Sequence, residues 1–310
     1  MLRYLVARLG TIAVQVFVIA TGVFVLFRIA PGDPASLLLG ALATQDQVDL
    51  YREQLGLNDP IWSQYLGYLQ SLFSGDLGVS TSYSQPVTTV IMSRVDETAA
   101  LLILSLVIAV TIGVSAGVFA AIRPQSLAWR GSLLLWVLLL AIPNFWLGML
   151  LIQVFSVQLG WLPAYGSAGI AGLILPALAV SARLVALIAR LTRAAMLEIL
   201  GEDFIRTAQA RGVSPTRLVL LHALKPAMPS VLILVGLQAG YLFGGAVVIE
   251  NLFSYPGMGQ LLLAAVSQRD YTLMQGITIF FVGGFLIINL IVDLAITRID
   301  PRIRLMSSSK

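Results

Sequence analysis

Side chains able to do covalent chemistry are scarce in this chain of 310 residues. There is one histidine, His222, no cysteine, and only two lysines, Lys225 and Lys310. A zinc hydrolase needs paired histidines around a glutamate, and no such spacing is present. A thiol nucleophile or disulfide framework is excluded by the lack of cysteine. Neither lysine closes a glycine-rich loop of the kind that cradles nucleotide phosphates. The polar groups that remain interesting are those set inside apolar runs. Arg183 lies between Val180-Ser181 and Leu184-Val185, Asn144 follows Pro143, and Gln238 sits in a glycine-rich apolar stretch. A guanidinium at that depth either snorkels, pairs with a carboxylate such as Asp293, or faces a polar pathway where its fork meets an anionic cargo. These three residues are the candidates for a translocation path, while Glu250 and Asp293 fall near the ends of their apolar runs.

The elements that carry these residues follow from hydropathy. Hydrophobic residues make up 58% of the chain and charged residues 11%, with mean hydropathy +0.91, whereas soluble domains carry about a quarter charged residues. A spanning helix takes about 20 apolar residues. Six spans are expected, at 9–29, 98–122, 132–157, 171–191, 231–249 and 273–296, giving an all-α polytopic membrane protein with one domain over 1–310. The apolar run after Arg3 and Arg8 is too long for a cleavable signal and reads as a retained first span. Pro143-Asn144 should kink the third span. Gly236, Gly240 and Gly244 at every fourth position, and Gly113, Ala116, Gly117 and Ala120, read as close-packing stripes.

The net charge of +4 does not form a nucleic-acid-binding stripe; it reports topology. Arg3, Arg8, Arg123, Arg130, Arg190, Arg193, Arg206, Arg211, Arg217, Lys225, Arg298, Arg302, Arg304 and Lys310 fall on one side of the six spans. The opposite side holds Arg52, Arg94 and Arg269 together with Asp33, Asp46, Asp49, Glu53, Asp59, Asp76, Asp96 and Glu97. Basic residues mark the cytoplasmic side, so both termini are expected inside. Residues 30–97 form a long outer loop in which Val48, Tyr51, Leu55, Trp62, Tyr65, Leu66 and Leu69 recur at helical spacing. Short amphipathic helices are expected there, which either cap the outer mouth or contact a partner outside.

The cytoplasmic segment 194–229 holds the most specific pattern. Glu202-Asp203-Phe204-Ile205-Arg206-Thr207-Ala208-Gln209-Ala210-Arg211-Gly212 reads as a short helix with acids at its start, a base at its end and glycine suited to a left-handed cap. Ser214-Pro215 can start a second short helix.

This segment resembles the cytoplasmic signature of ATP-binding cassette (ABC) importer permeases, in which Glu-Ala-Ala is followed after three residues by glycine. Arg206-Thr207-Ala208 and Gly212 stand in those places, a departure at two positions that matches the dipeptide, oligopeptide, nickel and glutathione branch. Pro31-Gly32-Asp33-Pro34, Leu55-Gly56-Leu57, Leu175-Pro176-Ala177, Arg190-Leu191-Thr192-Arg193, Pro256-Gly257-Met258-Gly259, Arg269-Asp270-Tyr271 and Asp300-Pro301-Arg302-Ile303-Arg304 extend the likeness along the chain. The resemblance implies a type I importer fold and a bacterial inner-membrane location. It implies a second permease subunit, often a different chain, two ATPase subunits that use ATP and magnesium, and an extracytoplasmic substrate-binding protein. No cofactor bound by this chain and no nucleic acid are implied. By position, Glu202 through Gly212 would dock on the ATPase. A secondary transporter or channel is the rival reading, separated from the first by copurification with an ATPase. The cargo, whether peptide, glutathione-like thiol, nickel chelate or opine-like compound, has no motif of its own.

Overall fold

The structure, a computed structural model, describes residues 2–29, 43–54, 56–123, 127–166 and 169–299. Pro31 to Pro34, Leu55 and Asp300 to Arg304 lie outside the described residues. The described chain is helical almost throughout and divides into two compact units, Leu2–Asp96 with Gly257–Gly284, and Glu97–Pro256 with the chain from Phe285 onward.

The first unit holds α1 (Leu2–Ile29), α2 (Gln45–Gln54), α3 (Ile61–Ser74), a two-residue hairpin of β1 (Val79–Ser80) and β2 (Gln85–Pro86), and the start of α4 (Val87–Ile122). It also holds α10 (Met258–Gln268) and the start of α11 (Tyr271–Ile299). The expected short helices are present, and Phe24 of α1 meets Tyr65 of α3 edge-on at 5.2 Å between ring centres. The inward face is only partly the expected one. Val48 is buried and Tyr65 is half-buried, whereas Trp62 and Leu66 are exposed at 68% and 54%. The Asp270 carboxylate ties the hairpin to α11. It accepts from Ser80 Oγ at 2.6 Å and the Ser82 N–H at 3.0 Å, and its other oxygen accepts from the Leu273 N–H at the helix start. One carboxylate thus caps a helix and satisfies a turn. Gly276 lets Val87 approach so closely that an added Cβ would lie 2.4 Å from it.

The second unit contains the rest of α4, α5 (Leu127–Ala141), α6 (Asn144–Gln158), α7 (Gly169–Leu200), α8 (Asp203–Ala210), α9 (Pro215–Leu252) and the end of α11. Helix α7 is its centre. Leu175, Ala177, Ala179, Leu184, Ala186, Ile188 and Ala189 are buried, and α9, α5 and α6 pack around them. In a bilayer, close approach through small residues replaces the hydrophobic drive that water would supply. The stripe in α4 does this: a Cβ on Gly113 would stand 2.8 Å from Ile188, and one on Gly117 2.5 Å from Thr192 Cβ. On α9, Gly236 faces Asn289 and Val292 and Gly240 faces Phe285, but nothing lies within 4 Å of a Cβ on Gly244.

Among the described residues four helices, Val87–Ile122, Gly169–Leu200, Pro215–Leu252 and Tyr271–Arg298, are long and apolar enough to cross a membrane. Within α1, Gly10–Leu26 is a further apolar helix. The third expected span is a broken pair, Leu134–Ala141 and Asn144–Gln158, bent by 111°. Pro143 causes the break. Its extended backbone, ψ 140°, ends one helix while its carbonyl accepts from the Leu147 N–H at 3.1 Å to begin the next. The several-span architecture expected from hydropathy is present, and the helices overshoot its limits at one end or both.

Candidate functional site

Helix α8 stands between α7 and α9. Glu202 occupies its N-cap position with extended backbone, φ −73° and ψ 148°, without a side-chain capping bond, and Asp203 supplies charge to the first turn. The Thr207 hydroxyl donates to the Asp203 carbonyl at 3.0 Å. The helix stops where the sequence places glycine. Gly212 has φ +75°, its N–H donates to the Gln209 carbonyl at 2.9 Å, and the Val213 N–H donates to the Ala208 carbonyl at 3.2 Å. Those two bonds are the Schellman arrangement, which needs a left-handed residue at this point. Ser214 and Pro215 then hold the expected N-cap and N1 places, although no side-chain bond from Ser214 is made.

The second short helix expected here differs in extent. It does not end but runs from Pro215 through wide π-helical turns, Leu218–Leu224, into the long α9. Pro226 comes just after these turns, and its missing N–H and ring bulk disfavour a regular α-helical turn just before it. His222 lies half-buried within those turns.

Within α8 only Ile205 is buried, at 1% exposure, and it anchors the helix to the chain. Glu202, Asp203, Phe204, Arg206, Thr207, Gln209, Ala210, Arg211 and Gly212 are exposed and Ala208 is half-buried. Phe204 leaves 49% of its surface uncovered. Arg206 and Asp203 are 3.7 Å apart and both are highly exposed, so their attraction does little for stability. All eleven expected docking residues are therefore contiguous on one capped, projecting element.

The path candidates are partly gathered. The guanidinium of Arg183, midway along α7, lies 4.7 Å from the ring centre of Tyr241 on α9. Tyr241 in turn donates its hydroxyl proton to Asn144 Oδ1 at 3.3 Å, at the start of α6. Of the alternatives raised for Arg183, the aromatic contact stands where pairing with a carboxylate such as Asp293 would have been. Gln238 is half-buried three residues before Tyr241, on the same side of α9. Tyr241 was not singled out in the sequence, where an isolated tyrosine among glycines carries no sign of which helix it meets.

The contacts of a second polar group were equally hidden. Glu250, fully buried, accepts from Thr98 Oγ1 at 2.7 Å. The neighbouring Glu97 accepts from the Tyr255 hydroxyl, and the Tyr255 N–H donates to the Glu250 carbonyl at 2.8 Å. Burial, then the bond to Glu97 and the charges of Glu97 and Glu250, raise the Tyr255 phenol above the ordinary tyrosine range.

Such a fold, with a projecting capped helix between two spans and no cluster of three or more metal-ligating side chains among the described residues, is decided by comparison. Residues 113–305 match the model of the binding-protein-dependent transport system inner membrane component, and residues 1–112 match the N-terminal model of such membrane components. The chain belongs to this family. Members are transport permeases rather than enzymes, and this chain is the translocation subunit of an ABC importer in the bacterial inner membrane, where it works in a complex with ATPase and binding protein.

The glutathione transport system permease protein GsiC of Escherichia coli O6:H1 is 42% identical over 304 residues, covering 98% of this chain and 99% of that protein. GsiC of Shigella dysenteriae serotype 1 is likewise 42% identical over 304 residues. Among solved structures, an inward-facing conformation of the MetNI methionine ABC transporter aligns with TM-score 0.57 and 21% identity, over 69% of this chain and 97% of that one. That likeness carries the type I importer permease fold.

Proposed function

We propose that this permease moves a small peptide or a glutathione-like solute inward, and that α8, from Glu202 to Gly212, is where separate ATPase subunits dock. The observation that carries the docking role is an exposed helix with a half-uncovered phenylalanine, closed sharply by Gly212, in which Ile205 is the one buried residue. A groove on a partner would bury Phe204 and accept the small Ala208 closely. Two ATPase subunits use ATP and magnesium, a second permease chain, most simply a different one, completes the pathway, and an extracytoplasmic protein delivers the cargo. The 42% identity to the glutathione permease GsiC supports the cargo class.

The orientation is the one the charge bias favours, with both termini and Arg206 inside and Asp49 and Tyr65 outside. The chain lacks cysteine, so single cysteines can be placed at will. An impermeant thiol reagent applied to intact cells should label positions 49 and 65 and spare 206 and 310. Labelling of position 310 from outside would reverse the topology.

The docking role is tested by Ala208→Asp. A charge forced into a desolvated contact costs roughly 3–5 kcal/mol when left unpaired, so the variant should insert normally yet lose the ATPase on affinity purification. Retention of ATPase with full cargo-stimulated hydrolysis and uptake would remove α8 from the interface.

A further inference from the structure

Arg183 is unusual in what it lacks. It sits midway along α7, between Ala182 and Leu184, both buried, and its Nε is shielded from solvent with no hydrogen-bond partner. No carboxylate or carbonyl among the described residues accepts from its guanidinium, and its one contact of note is the face of Tyr241. An aromatic face steadies a cation without satisfying its donors. The Nε–H is thus unclaimed among the described residues, and an unsatisfied donor at membrane depth is costly.

The surroundings keep this arrangement rather than relieve it. Tyr241 is fixed at its far end by Asn144, the residue that the Pro143 break sets at the start of α6. Gly245, one turn beyond Tyr241 on α9, makes room for Asn144: a Cβ there would lie 3.2 Å from Asn144 Nδ2. Tyr241 is still 40% exposed, so the stack borders open space and is not sealed in a core. Three helices spend residues on holding a charged fork against a ring that something else can reach.

We propose that Arg183, steadied by Tyr241 and Asn144, reads the carboxylate of the cargo as it passes through the permease. This rests on the transport reading above and adds a requirement to it, that the cargo carry a carboxylate and that the permease itself discriminate for it. A carboxylate accepts two parallel N–H bonds from a guanidinium fork, and the ring leaves the fork's edge free for them. Lysine, a point charge without the fork, would be a poorer reader.

The test uses the full transporter in proteoliposomes with its binding protein, fed a tripeptide with a free C-terminal carboxylate or the same peptide as its amide. The ratio of the two uptake rates is compared between wild type and variants, so that any preference of the binding protein cancels. Arg183→Gln should lower the acid-to-amide ratio about tenfold, the value of one charge-assisted contact. Tyr241→Leu should lower it several-fold and Tyr241→Phe, which keeps the ring, by less; Arg183→Lys should fall between wild type and Arg183→Gln.

Equal loss for both peptides, or an unchanged ratio, would overturn the proposal and leave Arg183 a structural residue. Loss of the second permease chain from purified Arg183→Gln complexes would overturn it too, by assigning the anion to that partner. Wild-type complexes that hold ATPase and move neither peptide would refute the carboxylate cargo alone. Purified complexes without ATPase would instead strike the transport reading itself.

Discussion

Helix α8 and the seam between α4 and α7 use the same small residues to opposite ends. In the seam, the space left by Gly113 and Gly117 is already filled by Ile188 and Thr192. At α8, nothing lies within 4 Å of a Cβ on Gly212, Ala210 is exposed and Ala208 is only half-buried. Small residues in the seam are consumed by the chain's own packing. Those on α8 leave room that the chain does not occupy, which is what a docking surface for another polypeptide requires.

The contrast is broken or sharpened by substitution, and the largest effect belongs to the seam. Gly117→Val would put a Cβ 2.5 Å from Thr192 Cβ and 2.7 Å from the Ala189 carbonyl oxygen, part of a rigid helix backbone. Overpacking of this kind costs about 1–3 kcal/mol and occasionally more, and here the yield of monodisperse protein after detergent extraction should fall severely. A normal yield would mean that α4 and α7 separate easily.

Tyr255→Phe comes next, at about 1–2 kcal/mol for a buried hydrogen bond to a carboxylate. The phenol is favoured in its protonated form by the fold, so its contribution is complete below the ordinary tyrosine value near pH 10 and is lost as pH rises beyond it. Thermal unfolding scans should show wild type losing its advantage over Tyr255→Phe above about pH 10. A constant difference up to pH 11 or so would argue against the bond to Glu97.

At Gly212 the strain is conformational and not steric. Valine at φ +75° costs about 1–2 kcal/mol, whereas asparagine tolerates that region. Gly212→Val should fold and insert but transport poorly, and Gly212→Asn should approach wild type in uptake. Equal transport by both would mean that the sharp stop of α8 is dispensable.

The smallest effect is expected at the exposed pair Arg206 and Asp203, where Asp203→Asn should leave the unfolding temperature unchanged. A clear drop would show that the pair is structural.

The same contrast explains what was legible in the sequence. The stop at Gly212, the start at Pro215 and the break at Pro143 are local backbone chemistry, and each stands where its residues place it. Most of the spans follow from hydropathy, which needs no knowledge of neighbours. Hidden from sequence were the contacts between distant segments: Ser80 with Asp270, Thr98 with Glu250, and the Arg183 stack on Tyr241. None has a local signature, because each depends on which helix faces which. The exposed Trp62 and Leu66 show the same limit, since periodicity finds a helix and a stripe without saying what covers the stripe. The continuous run of the second short helix into α9 was also missed, because wide turns over Leu218–Leu224 carry the helix on to Pro226 without a break.

The central claim, that α8 meets the ATPase, is tested most directly by cross-linking. In this chain without native cysteine, Gln209→Cys places one thiol on the exposed face of α8 and Tyr83→Cys places one in the hairpin turn. With a short bifunctional thiol reagent on the assembled transporter, the account predicts a covalent adduct between position 209 and an ATPase subunit, and none from position 83. An adduct from 83 to the ATPase, or its absence from 209 in complexes that hydrolyse ATP and transport, would contradict it.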